Sequence, residues 1–258
     1  MINKLVLDKQ GHTAVITMNN LPANTWTAES LQGLTAIIQE LNADREIYVI
    51  VICSASDKFF SAGADLTLFA DGNPTVAADM AHHFGQAFET LSAFRGVTIA
   101  AINGFAMGGG LEVALACDIR VVEETAQLAL PEAKVGLLPC AGGTQNLTML
   151  VGEGWAKRMI LCGERVNGYL AKEIGLAEEL VSKGEAYNRA MRLAESVAQQ
   201  SPTSVTACKK LIQSHRTRSW RDGYSQERTS FVELFETADQ KEGVSAFLEK
   251  RLPKWKNG

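Results

Sequence analysis

The chain has 258 residues, of which 46% are hydrophobic and 21% are charged, and its formal net charge at pH 7 is -4. These values exclude a disordered chain and provide no general attraction to nucleic acid or to an anionic membrane surface. The length is close to the upper limit for a single hydrophobic core, so we expect one main domain with a smaller appendage.

The first predicted elements are two short strands at residues 5–7 and 14–18, which turn near Gly11. A helix is predicted after Pro22, because Thr27 can cap it and apolar residues recur on one face at Leu31, Leu34, Ile38 and Leu41. This helix should cover a sheet.

The middle of the chain alternates between predicted strands and helices. The apolar runs 47–53 and 99–102 are typical of strands that are buried on both faces of a parallel sheet. A loop (54–63), a helix (76–94), a short helix (111–117) and two further strands (119–122 and 126–130) complete this region. The alternation predicts an α/β core.

From Gly143 onward the pattern becomes mostly helical and ends with three polar-faced helices at 203–215, 220–237 and 241–250. We therefore predict an α/β core over residues 1–200 and a helical C-terminal region over residues 201–258. Residues 1–10 contain no basic segment followed by an apolar run, which predicts a cytoplasmic protein that does not use a membrane.

The cysteines and histidines provide no arrangement typical of a metal site. The five cysteines lie far apart in the sequence, so we interpret them as reduced thiols. His82 and His83 are adjacent and cannot both face one metal ion from a regular helix. We expect no bound metal.

Two segments rich in small residues stand out. Residues 59–65 end in Ser61-Ala62-Gly63-Ala64-Asp65, and small residues allow a ligand to reach the backbone. Residues 103–112 place three consecutive glycines between a buried strand and the start of a helix, where free N–H groups favour negative charge. Either segment alone is also explained by the conformational needs of a tight turn.

Two glutamates lie in unusually apolar surroundings. Glu132 follows Pro131 among small and apolar residues, and Glu112 lies on a helix otherwise made of leucine, valine and alanine. Confined carboxylates of this kind often have perturbed pKa values. A non-catalytic role at the positive end of a helix is the alternative for a glutamate in a first helical turn.

Taken together, these segments resemble the enoyl-CoA hydratase/isomerase family, also called the crotonase superfamily, over nearly the whole chain. The match includes Ser61 to Asp65, the stretch from Asn103 to Glu112, Pro131-Glu132 and Gly142-Gly143-Thr144-Gln145. The ending Ser245-Ala246-Phe247-Leu248-Glu249-Lys250-Arg251 matches as well.

The resemblance implies a crotonase-like α/β fold, a spiral of repeated β-β-α units with a helical C-terminal trimerisation region. It implies that the N–H groups of Ala64 and Gly109 form an oxyanion hole for a thioester carbonyl oxygen. It also implies that Glu112 and Glu132 flank a water molecule and deliver hydroxide to C3 and a proton to C2. Both glutamates are present, which favours a 2-enoyl-CoA hydratase that requires no cofactor.

The substrate would be an acyl-CoA, and the resemblance implies eight contacts within one subunit: Ala62, Gly63, Asp65, Leu66, Gly108, Pro131, Pro139 and Gly142. Phe247 and Lys250 would reach the ligand of a neighbouring subunit, so a homotrimer or a hexamer is expected. No nucleic-acid partner is expected. The length and branching of the acyl group stay open.

The chain departs from the family pattern at Cys140, where glycine is usual, and at Asn146, where arginine is usual; we expect both to flank the wall of the active site. We interpret Cys140 as a packing residue. Thr67 replaces a frequent lysine near the adenine, and His82 and His83 are expected to be solvated. The nearest alternative function is a Δ3,Δ2-enoyl-CoA isomerase that uses Glu132 alone, and a more distant one is a non-catalytic or RNA-binding relative.

Overall fold

The computed structural model of the chain describes residues 4–258. Residues 1–3, where the predicted N-terminal segment and core domain begin, lie outside the described residues. The described strands are β1 Leu5–Gln10, β2 Thr13–Met18, β3 Val49–Ser54, β4 Phe59–Ser61, β5 Val97–Ile102, β6 Phe105–Met107, β7 Ile119–Glu123, β8 Gln127–Ala129, β9 Val166–Asn167 and β10 Glu179–Val181. The described helices are α1 Ala28–Ala43, α2 Pro74–Ser92, α3 Gly109–Ala116, α4 Gly143–Leu161, α5 Gly168–Glu173, α6 Ala186–Ala198, α7 Pro202–Ser214, α8 Trp220–Glu233 and α9 Ala238–Leu248.

The opening hairpin and the first helix agree with the sequence predictions. β1 and β2 pair antiparallel, and Gly11 between them has a φ of 57° that suits glycine in a tight turn. Thr27 caps α1, and its hydroxyl accepts a hydrogen bond from the Ser30 N–H. The four apolar residues predicted to face a sheet are all buried: Leu31, Leu34, Ile38 and Leu41.

The middle of the chain winds through two sheets. A six-stranded sheet has the order β1-β2-β3-β5-β7-β10, and a four-stranded sheet has the order β4-β6-β8-β9. Each turn of the chain adds one strand to the large sheet and then one to the small sheet: β3 and β4, β5 and β6, β7 and β8. Within each sheet these successive strands are parallel neighbours, so the turns stack as a spiral.

The sequence predictions were wrong about several short strands. The predicted loop 54–63 contains β4, and β6 lies within the glycine-rich segment that was interpreted as a turn. β9 and β10 interrupt the C-terminal part that was predicted to be mostly helical. Strands of two or three residues are too short to show an alternating pattern, and tertiary pairing forms them.

A partly buried ion pair connects the C-terminal helix α7 to the core. Lys209 on α7 donates to Asp118 at 2.7 Å and to the Gly96 carbonyl at 2.8 Å. Thr98 donates to the same Asp118 oxygen. The domain boundary after residue 200 stays a prediction. Within residues 4–258, none of the helices is both long and apolar enough to cross a lipid bilayer.

Candidate active site

The three segments singled out in the sequence meet at one edge of the small sheet. β4 leads into Ala62 and Ala64, β6 leads into the glycines before α3, and β8 leads into Pro131 and Glu132. Because β4, β6 and β8 are parallel neighbours, their carboxyl ends lie at the same edge. A cavity of about 690 Å³ opens there. Its volume is in the range of sites for small organic ligands.

The structure brings most of the predicted residues into contact with this cavity, but not all of them. The predicted residues that line it are Ala62, Ala64, Leu66, Gly108, Gly109, Glu112, Pro131 and Glu132. Gly63, Pro139 and Gly142 lie behind the wall: a Cβ on Gly63 would meet the Met107 carbonyl, and Gly142 caps α4. Asp65 caps the short 3-10 turn Leu66–Phe69. Phe247 and Lys250 lie near the C-terminus, outside the cavity lining, and their expected role at a neighbouring subunit stays a prediction.

The N–H group of Ala64 has no hydrogen-bond acceptor among residues 4–258, although those of its neighbours do. Its neighbours are all engaged: the N–H of Ala62 donates to the Ala23 carbonyl, that of Gly63 to the Ser61 hydroxyl, and that of Asp65 to the Trp26 carbonyl. The Ala64 N–H has no acceptor among residues 4–258. Because Ala64 lines the cavity, this donor is available to a ligand.

A second N–H group without an acceptor among residues 4–258, that of Gly109, lies beside the first. Gly109 is the first residue of α3, where N–H groups have no partner within the helix. A Cβ placed on Gly63 would lie 3.1 Å from the Gly109 nitrogen, and a Cβ on Gly110 would collide with the Ser61 carbonyl. Because these residues are glycines, β4 and α3 can pack closely enough to place the N–H groups of Ala64 and Gly109 side by side. Two adjacent donors suit an oxygen that gains negative charge.

Glu112 is held in place by two backbone donors. Only 2% of its surface is exposed, and its Oε1 accepts hydrogen bonds from the N–H groups of Ala141 at 2.8 Å and Gly143 at 2.9 Å. Burial raises the pKa of Glu112, whereas the two N–H groups favour the charged form. Its second oxygen, Oε2, accepts no hydrogen bond from residues 4–258. Glu112 is thus a carboxylate of fixed orientation with one oxygen free.

Glu132 lies on the 3-10 turn Glu132–Val135 and lacks such support. Its Oε2 is buried and has no hydrogen-bond partner in the described chain. Burial raises the pKa of Glu132 to about 7; its own backbone N–H lowers the pKa, and the nearby Glu112 charge raises it further. A carboxyl group with this pKa can both give and accept a proton near neutral pH.

The residues that depart from the family pattern have different positions. Cys140 lines the cavity, and burial together with the charges of Glu112 and Glu132 raises the pKa of its thiol to about 11. A protonated thiol is a weak nucleophile, which argues against a catalytic role, and the packing role of this exposed residue stays a prediction. Asn146 flanks the wall from behind, since a Cβ on Gly142 would lie 3.0 Å from its side-chain nitrogen, and it also lines a separate cleft beside α7. His82 is exposed, as expected, whereas the expectation for His83 was wrong: it is half-buried, contacts Gln32 on α1 at 3.1 Å, and has a buried Nδ1 without a partner among residues 4–258.

Several cavity residues were missed by the sequence analysis. Met80 and Phe84, one helical turn apart on α2, form an apolar wall, and a Cβ on Gly109 would lie 2.8 Å from the Phe84 ring. Lys134 and Arg165 also line the cavity, and neither forms an ion pair within residues 4–258. The helical spacing on α2 indicated a buried face, but periodicity does not tell which buried residues border a cavity.

The enoyl-CoA hydratase/isomerase family model matches residues 8–258. The chain therefore belongs to the enoyl-CoA hydratase/isomerase family, and its fold is the crotonase-like spiral. Among curated proteins it is similar to the short-chain-enoyl-CoA hydratase of Clostridium acetobutylicum. The two chains are 34% identical over 251 residues, which covers 97% of this chain and 96% of the relative.

Solved structures give the same result. The structure of Pseudomonas aeruginosa DspI is 59% identical in sequence, with a TM-score of 0.96 over 98% of this chain and 97% of that chain. The enoyl-CoA hydratase of Bacillus anthracis is 33% identical, with a TM-score of 0.95 over 99% of this chain and 100% of that chain. Both alignments include the C-terminal helices as well as the core.

Proposed function

We propose that this protein catalyses the reversible addition of water to the C2=C3 double bond of a 2-enoyl-CoA thioester, giving a 3-hydroxyacyl-CoA. One observation carries the proposal: two carboxylates with different surroundings face one cavity beside two unpaired N–H groups. Two of the similar proteins, from Clostridium acetobutylicum and Bacillus anthracis, are named enoyl-CoA hydratases, which supports the same reaction.

In the proposed mechanism the thioester oxygen binds between the N–H groups of Ala64 and Gly109. This oxygen gains negative charge as an enolate forms, so donors placed in advance stabilise the transition state more than the substrate. One such donor is typically worth about 3 kcal/mol. The crowding of Gly63 and Gly109 supports this role, because it keeps both N–H groups at the cavity wall.

The two glutamates divide the proton transfers in this proposal. Glu112, fixed through Oε1, orients the attacking water with its free oxygen and accepts the proton that the water loses. Glu132, whose pKa is about 7, gives its proton to C2. The reverse reaction exchanges these roles. Each step uses groups of this chain, so the proposed reaction requires no metal and no redox cofactor.

The test is a direct assay of water addition. The purified protein should consume the ultraviolet absorbance of the conjugated 2-enoyl-CoA thioester and should incorporate ¹⁸O from labelled water into the product. A panel of short, medium, long and aromatic acyl groups, with products identified by mass, would define the acyl preference. Movement of a 3-enoyl double bond without ¹⁸O incorporation would replace this proposal with the isomerase.

The isomerase is the second candidate, because Glu132 by itself combines a pKa of about 7 with a buried oxygen that has no partner among residues 4–258, as a proton shuttle between carbons requires. An isomerase that uses Glu132 alone would not need the two hydrogen bonds that orient Glu112. For this reason we favour the hydratase.

We further propose that the protein works in the cytoplasm as a homotrimer or as a hexamer formed by two trimers. Large apolar side chains on the C-terminal segment support assembly, since Phe231, Phe247 and Leu252 are each more than half exposed. Sedimentation of the full chain and of a chain truncated after Thr237 would test this. A truncated monomer that binds CoA as tightly as the full chain would contradict a contribution from Phe247 and Lys250.

A further inference from the structure

The direction of the Ala64 N–H depends on Gly63, which precedes it. Gly63 has a φ of 89°, a conformation that glycine adopts freely and can also leave freely. Its carbonyl and the Ala64 N–H belong to the same peptide plane and point in opposite directions. Any group that holds Gly63 therefore aims the Ala64 N–H.

Two hydrogen bonds hold Gly63, one on each side. Its carbonyl accepts from the Trp26 N–H at 2.8 Å. Its N–H donates to the Ser61 hydroxyl at 3.2 Å. The first bond is between backbone groups and survives any change of side chain, whereas the second depends on the side chain of Ser61.

The Ser61 hydroxyl is itself tightly constrained. Ser61 is fully buried, and its hydroxyl donates to the Asn24 carbonyl at 2.7 Å. Asn24 is also buried, and its side-chain amide donates to the Ser54 hydroxyl and to the Phe60 carbonyl. Ser61 thus transmits the rigid position of Asn24 to Gly63.

We propose that Ser61 is a positioning residue that aims the Ala64 N–H at the thioester oxygen. This inference rests on the proposed function, because it assigns Ser61 a part in the oxyanion hole. Ser61 does not line the cavity and does not touch the substrate. Its effect is on the transition state, in which the oxygen carries most charge, and much less on substrate binding.

Ser56, in the loop that leads into β4, provides a matched control. It is also buried, and its hydroxyl donates to the Pro22 carbonyl at 2.8 Å and accepts from the Phe59 N–H at 3.3 Å. Replacing either serine by alanine removes one bond given and one bond received. The two variants should therefore lose similar stability, and only Ser61→Ala loosens Gly63.

The experiment compares Ser61→Ala and Ser56→Ala in the full chain, using the 2-enoyl-CoA that the wild type hydrates fastest. We expect Ser61→Ala to lower kcat about tenfold with little change in KM, since a misaimed donor costs less than a deleted one. Ser56→Ala should keep the wild-type kcat and KM. A bound 3-aryl-2-enoyl-CoA reports the polarisation of its carbonyl through its absorption maximum, and Ser61→Ala should reduce this red shift.

Two results would overturn the proposal: a wild-type kcat and red shift in Ser61→Ala, or equal losses in both serine variants. If Ser61→Ala does not fold, Ser61→Cys keeps a weak donor and acceptor and should give a smaller change in the same direction; an unchanged red shift in that variant would also reject the proposal. If the wild type polarises the bound thioester but never hydrates it, the hydratase function fails while the red shift still decides the role of Ser61.

Discussion

The two glutamates lie on segments that differ in almost every structural respect. Every residue of α3, which carries Glu112, is buried, and Glu112 receives two backbone hydrogen bonds. In the segment 131–138, which carries Glu132, each residue is half-buried or exposed, and Leu138 is 68% exposed. In the proposed mechanism, a rigid frame therefore orients Glu112, and a buried oxygen without a partner among residues 4–258 suits Glu132 to carry a proton.

The largest effect should come from Glu132→Gln. An amide cannot give a proton to C2, so we expect hydration to fall by about 10³-fold and exchange of the C2 proton to fall with it. Absorbance assays would measure the rate of hydration, and deuterium exchange followed by mass spectrometry would measure the exchange at C2. Circular dichroism and a thermal melt must show a folded protein. Hydration at a rate near that of the wild type would remove Glu132 from the mechanism.

Glu112→Gln should have a smaller and more selective effect. The amide oxygen can still accept from the N–H groups of Ala141 and Gly143, so the frame should persist while water activation is lost. We expect hydration to fall by about 10²-fold while C2 proton exchange partly survives. Equal losses of hydration and of C2 proton exchange would mean that Glu112 and Glu132 do not have the separate roles proposed for them.

The pH dependence of kcat/KM tests whether Glu112 and Glu132 act together as one coupled pair of carboxyl groups. The active form carries one proton on the two carboxyl groups, and the pKa of about 7 at Glu132 predicts that this proton is lost above neutrality. We expect kcat/KM for hydration to fall about tenfold per pH unit above pH ~7. Dehydration should follow the same curve, because the net reaction neither takes up nor releases protons. A flat profile between pH 6 and 9, roughly the range that spans this pKa, would contradict the assignment.

The tight packing around α3 predicts that Gly109→Ala impairs catalysis. The new methyl group would meet the Phe84 ring and push it, so we expect a several-fold loss of kcat/KM. Gly154 on α4 is the matched control, because a Cβ there meets nothing within 4 Å and its φ is not positive. Gly154→Ala should retain full activity. The same kinetic loss in both variants would show that the packing at Gly109 is not the cause.

The smallest expected effect is on stability: Glu132→Gln should stabilise the folded protein although it impairs catalysis. The folded protein raises the pKa of Glu132 from 4.5 to about 7, so ionisation disfavours the folded state increasingly as pH rises through this window. Glu132→Gln removes that cost. At pH 8 we expect the variant to be more stable than the wild type by about 1 to 2 kcal/mol, a value reduced for partial exposure of the side chain. At pH 4 the two should melt alike, and a gain that persists there would point to packing instead.

Much of the fold could be predicted because its signals are local. The hairpin around Gly11, the Thr27 cap with its buried face, and the apolar strands 47–53 and 99–102 all follow from periodicity and capping. Of the small sheet, β8 was predicted within the apolar segment 126–130, but β4, β6 and β9 could not be found in this way, because two or three residues carry no period. Their pairing depends on partners that lie far away in the sequence.

For the site, the sequence determined which residues are chemically unusual: two glutamates in apolar surroundings and two glycine-rich turns, in an order that resembles one family. Only the tertiary structure decided how they act. The parallel stacking of β4, β6 and β8 brings the three segments to one edge. The N–H groups at 62 and 65 donate directly to carbonyls of residues 23–26, and that of Gly63 donates to the Ser61 hydroxyl, which is itself bonded to residue 24. The N–H of Ala64 has no acceptor among residues 4–258. Burial and hydrogen bonding then separate Glu112 from Glu132, because pKa depends on the groups that surround a carboxyl in space and not on its neighbours along the chain.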